Sequence, residues 1–91
     1  MVKTFYKPEK TIQVYQVHKD TMNDEDMPTW LDKLLTQGYV DGLYYGYDKK
    51  FFGLVLHSSK VARVGQFLAY DMDRFELEIM EDFQLASYQE L

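Results

Sequence analysis

The sequence predicts an α+β fold, with one short amphipathic helix packed on a small, mainly antiparallel sheet of about five strands. Three observations carry that expectation. The apolar positions Met27, Trp30, Leu31, Leu34 and Leu35 follow the i, i+3, i+4, i+7, i+8 spacing of a single buried helical stripe. Two pairs of β-branched and aromatic runs flank polar turns, as hairpins do. Finally, Phe75, Leu77 and Ile79 alternate with Glu76 and Glu78, the period of a strand with one wet face. Ninety-one residues fit one domain, with 84–91 as its edge strand or tail.

In chain order, Thr11 to Val17 follows Pro8 and reads as the first strand. His18 to Asp26 is a polar loop ending at a helix N-terminus, and Pro28 falls in the first turn, where its missing N–H costs nothing. Gly38 is the stop signal. The runs Gly42–Tyr47 and Phe51–His57 form a hairpin around Asp48-Lys49-Lys50. Ser58 to Val64 reads as either a short helix or an irregular crossing. A second hairpin runs from Gln66–Tyr70 to Phe75–Ile79 around Asp71-Met72-Asp73-Arg74, and Met80–Phe83 suits a helical turn.

Composition narrows the function classes. Aromatics make up 16% of the chain, enough to close a compact core without staples. With no cysteine, disulfides and thiolate–zinc sites are excluded, which suits a reducing cytoplasm. No apolar stretch has the length of a signal-peptide core or a membrane span. The net charge of −5 is unevenly placed: residues 1–60 balance eight acids with eight lysines, whereas residues 61–91 set seven acids against Arg63 and Arg74. An acidic third argues against direct phosphate binding and in favour of a basic protein surface as partner.

Motifs for catalysis are thin. His57 and Ser58 adjoin on a strand, so their side chains point to opposite faces. Asp20, Asp24 and Asp26 lack the glycine and closing glutamate of a calcium loop, and His18 beside them is a lone imidazole. Gly46 and Gly53 lie in aromatic strands, outside any strand-to-helix phosphate loop. Glu76 and Glu78 share one strand face without the setting of a glycosidase dyad. The expectation is therefore binding without catalysis, with no cofactor and no metal.

The landmarks Tyr6-Lys7-Pro8, Ile12-Gln13-Val14-Tyr15-Gln16, Met27-Pro28-Thr29-Trp30-Leu31, Val64-Gly65-Gln66-Phe67-Leu68, Phe75–Ile79, Phe83 and Tyr88 span most of the chain. Their order resembles a group of small phage and prophage proteins known by a Pro-Gly-Asp-Tyr-Gly motif, from which Gln66 departs by standing at the aspartate position. The resemblance implies a phage or prophage origin and an α+β fold, and it brings no activity with it. Small acidic phage proteins include inhibitors of host defence, anti-CRISPR proteins among them.

On this reading the chain is a phage-type accessory protein in the host cytoplasm that inhibits a host protein, for instance a nucleic-acid-binding one. The expected partner-binding residues are Asp71, Asp73, Glu76, Glu78, Glu81 and Asp82 with Phe67, Tyr70 and Phe75. Tyr44, Tyr45 and Tyr47 form a second aromatic surface, open to solvent or covered by a second helix, the tail or a homodimer mate. Two alternatives stand beside it: a small-ligand or nucleotide-binding module using those tyrosines, and a structural phage component that assembles through a sheet edge.

Overall fold

The computed structural model describes residues 2–91 and is α+β, with all strand pairs antiparallel. In order the elements are β1 (Val2–Lys7), β2 (Lys10–Gln16), α1 (Thr29–Thr36), β3 (Val40–Tyr45), β4 (Lys50–Leu56), β5 (Val61–Arg63), β6 (Phe67–Asp71), β7 (Glu76–Met80), α2 (Asp82–Leu85) and β8 (Gln89–Glu90). A larger sheet has the strand order β7-β6-β2-β1-β8, and β3-β4-β5 form a separate smaller one. The α+β class and antiparallel pairing are as expected, but the expected sheet divides: the first strand and the second hairpin lie in the larger sheet with β1 and β8, and the aromatic hairpin lies in the smaller. Residues 84–91 supply the end of α2 and the edge strand β8.

Local chemistry accounts for the joints. Lys7 pairs with Lys10, so Pro8 and Glu9 make a two-residue turn, with proline presetting φ at its second position and Glu9 at φ 68° at its third. Pro8, expected to precede the first strand as a breaker, joins two strands instead. Helix α1 starts one residue after Pro28, whose carbonyl accepts the N–H groups of Leu31 and Asp32 at 3.0 and 3.1 Å. It ends at the predicted stop: Gly38 sits at φ 80°, and the Tyr39 N–H returns to the Leu34 carbonyl at 2.9 Å. The segment 58–64, open between helix and crossing, contributes the short strand β5.

Two apolar clusters sit on the two faces of the larger sheet. Between the sheets, Tyr15, Val17, Leu68 and the α1 residues Trp30 and Leu31 pack with Val40, Leu54, Leu56 and Ala62 of the smaller sheet. On the far face, Ile12, Val14, Ala69 and Met80 are covered by Leu85 of α2. Each fully buried aliphatic side chain contributes about 2 kcal/mol. The alternation of β2 serves both clusters, with Tyr15 facing inward and Ile12 and Val14 outward.

A corner at Gly65 (φ 98°) ties the layers: Gly65 N–H donates to the Val17 carbonyl at 2.8 Å, and Val64 N–H to the Phe52 carbonyl at 3.0 Å. Close approach also requires Gly53, where a Cβ would collide with the Ala62 carbonyl oxygen.

Candidate partner-binding surface

The surface is built around the turn Met72–Phe75 between β6 and β7. Asp71 closes β6 with only 4% exposure, and its Oδ1 accepts the N–H groups of Asp73 and Arg74 at 3.0 and 3.2 Å. That carboxylate is consumed by the turn. With the backbone pinned, Met72 and Phe75 project outward, 51% and 78% exposed. Phe75 has φ 55°, the left-handed region, which a bulky side chain adopts at a cost of about 1 kcal/mol or more. The alternation with Leu77 and Ile79 placed Phe75 on their strand face, but its positive φ removes it from β7 and turns it into solvent.

Facing the turn is α1, and the two enclose a groove of about 600 Å³ lined by Pro28, Trp30, Leu34, Tyr70, Met72 and Phe75. The rings of Trp30 and Tyr70 stack there at 5.0 Å and 14°. The indole Nε1 donates to Gln13 Oε1 at 3.0 Å, so the aromatic pair has a fixed orientation. Thr29, Lys33 and Gln37 complete the lining with Gln13. Trp30 and Leu34 were legible only as helix stripe, and Met72 only as a turn residue. The signal for a groove was a tryptophan in a short helix together with apolar residues inside a polar turn.

The other expected residues scatter around this feature. Asp73 is exposed in the turn, and Glu76 and Glu78 lie on the outer face of β7, with Glu78 3.7 Å from Lys10. Glu81 caps α2 by a reciprocal exchange with Gln84 and also accepts from Gln66 Nε2, while Asp82 begins that helix. Phe67 is on the outer face against the second cluster, opposite in direction to Tyr70. The carboxylates therefore divide between turn, strand face and helix cap.

The tyrosines of the smaller sheet do not converge either. Tyr44 meets Phe51 edge-on at 5.9 Å, and its neighbour Tyr45 meets Phe52 at 5.6 Å on the opposite face, where Arg63 also approaches Phe52 at 5.8 Å. Tyr47 lies in the turn, fully exposed. Of the three, only Tyr44 lines the nearby groove of about 540 Å³, with Met22 and Phe51 and a mixed charge set of Lys19, Lys49, Lys50, Asp20 and Asp48.

A second polar cluster orders the loop before α1. The Tyr15 hydroxyl donates to Asp24 Oδ2 at 2.6 Å, and His18 Nε2 lies 2.9 Å from the same oxygen. Because His18 Nδ1 accepts the Asp20 N–H at 3.2 Å, the neutral ring carries its proton on Nε2 and donates it to Asp24. Thr21 Oγ1 accepts the His18 N–H at 2.9 Å, and Asp24 Oδ1 accepts the Asp26 N–H at 2.9 Å.

The hydrogen bonds from Tyr15 and then His18 hold the Asp24 carboxyl well below the usual carboxylate range. Burial first, and Asp24 second, push the Tyr15 phenol well above its ordinary value, so it stays protonated as the donor to Asp24. This cluster holds a loop.

His57 stacks edge-on with Tyr39 at 5.9 Å, and among the described residues neither Ser58 nor Ser59 is hydrogen-bonded to it. Among the described residues, no group of three or more His, Cys, Asp or Glu is arranged to hold a metal ion, and no helix is long and apolar enough to cross a membrane. The chain matches no family model, no curated protein and no solved structure.

Proposed function

We propose that this chain is a phage-type accessory protein that acts in the host cytoplasm without catalysis, by binding and inhibiting a host protein through the acidic and aromatic surface of its last third. The observation that carries this reading is the Met72–Phe75 turn, which presents two apolar side chains over an aromatic groove, one of them on a strained backbone. Strain at an exposed aromatic has no packing return in the isolated chain, and a partner that buries Phe75 would provide one. Asp73 in the turn, with Glu76 and Glu78 on the outer face of the same hairpin, favours a basic surface, such as that of a nucleic-acid-binding host protein. Anti-defence inhibitors, anti-CRISPR proteins among them, are the class this description fits.

The test is capture from host lysate at low and moderate salt, comparing the natural chain with a Glu76→Lys, Glu78→Lys double variant and with Phe75→Ser. A partner retained at low salt should be lost with each variant and weakened by salt. Capture indifferent to salt and to all three substitutions would overturn the reading.

The groove lined by Tyr44 and Phe51, with Lys19, Lys49 and Lys50 set against Asp20 and Asp48, favours one second reading, a small-ligand or nucleotide-binding module. A ligand of that kind would raise the melting temperature in a screen of nucleotides, and a flat screen removes this alternative.

A further inference from the structure

We propose that β7 is the docking strand, and that the partner enters as an extended basic segment that pairs with its free edge and adds a sixth strand to the larger sheet. This rests on the protein-binding reading above and names its mode.

Strand order leaves β7 unpaired on one side. The other edge strands are poorer templates. β8 has two residues and β5 three, and β3 pairs with β4 through an irregularity between Leu43 and Tyr44. β7 has five residues in unbroken register with β6, from Phe67 opposite Met80 to Asp71 opposite Glu76. A regular edge of that kind presents alternating N–H and C=O groups to whatever lies beside it.

The side chains specify what would pair. Glu76 and Glu78 stand on the outer face, and among the described residues Glu76 has no ion-pair partner. Leu77 and Ile79 stand on the inner face, half-buried against the main core at the margin of the sheet. Cross-strand neighbours approach to about 5 Å, so an added strand with Lys or Arg opposite the glutamates and aliphatic residues opposite Leu77 and Ile79 gains ion pairs on one face and extends the core on the other.

The same residues disfavour a second copy. An antiparallel pairing of β7 with itself centred on Glu78 sets Glu78 opposite Glu78, and one centred on Leu77 sets Glu76 opposite Glu78 twice. Like charges directly opposed are destabilising. The edge is therefore guarded against itself and open to a strand of opposite charge.

The probe is the capped pentapeptide Lys-Val-Lys-Val-Lys, titrated into the isotope-labelled chain and followed through the backbone amide resonances. Three comparison peptides complete the set: Glu-Val-Glu-Val-Glu, and the lysine peptide N-methylated either at residues one, three and five or at residues two and four. Pairing uses the N–H groups of one edge of the peptide alone. The lysine peptide should shift the amides of Glu76 to Met80, the glutamate peptide should not, and one methylation pattern should weaken binding about tenfold or more while the other leaves it intact.

Three outcomes would overturn the proposal: no shift in β7, equal binding by both methylated peptides, which means charge attraction without pairing, or β7 shifts that grow with protein concentration alone, which means a second copy. If a host protein is nonetheless captured in a manner dependent on salt and on Glu76 and Glu78, the binding reading stands and strand addition falls. If the peptide pairs with β7 and no such capture occurs, the edge is competent and the host-protein reading falls.

Discussion

The loop between β2 and α1 and the turn between β6 and β7 are each held by one aspartate, Asp24 in the first and Asp71 in the second. Around Asp24 the side chains turn inward: Tyr15, Thr21 and His18 meet its carboxylate or one another, and the loop is ordered by groups that also belong to the core. Around Asp71 only the backbone turns inward, while Met72 and Phe75 are directed to solvent. Equivalent anchors thus serve opposite ends. One secures the fold, and the other displays a surface at some cost to it.

The inward-facing anchor carries the larger share of stability. Asp24→Ala removes the acceptor shared by Tyr15 and His18, leaves a buried phenol short of its partner, and should lower unfolding free energy by about 3 kcal/mol. Urea denaturation measures it.

The same carboxylate sets a pH dependence. Its folded pKa lies below the ordinary value near 4, so its contribution is complete above that value and is lost as pH falls below it toward the folded pKa. The urea midpoint of the natural chain should therefore drop on acidification from pH 5 to pH 2, and Asp24→Asn should flatten that dependence. A variant as acid-sensitive as the natural chain would assign the effect to other carboxylates.

At the second anchor, Asp71→Ala deprives two turn N–H groups of their acceptor and should cost about 1.5 kcal/mol, less than at Asp24 because water can reach an exposed turn. The smallest effect has the opposite sign. Phe75→Gly relieves the positive φ and should raise stability by up to about 1 kcal/mol while weakening partner capture. Loss of stability in Phe75→Gly would show that the ring packs usefully in the isolated chain and would remove the distinction between the two loops.

The local part of the fold was legible in the sequence. Side-chain periodicity and turn residues act over a few positions, and they marked α1, both hairpins and the turn at α2, while residues 84–91 stood open between edge strand and tail. β1 was not read, because Val2–Lys7 mixes two lysines and a threonine with its aromatics and lacks a clean apolar face. Its place between β2 and β8 explains that composition, since Phe5 packs on the second cluster while Lys3 meets Glu90 at 3.3 Å.

The division into two sheets was equally hidden. It depends on β2 choosing β6, with Ile12 opposite Asp71, a pairing across most of the chain that no local pattern encodes. For the candidate surface, charge identified the acidic third but not its partition. Asp71 and Glu81 look like their neighbours in sequence and differ only in being used by backbone and helix cap. The groove was not read from its separate signals because its walls, α1 and the β6–β7 turn, lie more than thirty positions apart and no local pattern joins them.

The stack of Trp30 on Tyr70 has a practical consequence. Trp30 is the only tryptophan in the chain, and it lines the groove with its indole nitrogen committed to Gln13. Its emission is therefore an intrinsic optical gauge of that one place: whatever settles between α1 and the turn changes the polarity and quenching around a single fluorophore. The molecule carries its own readout of occupancy, without a label.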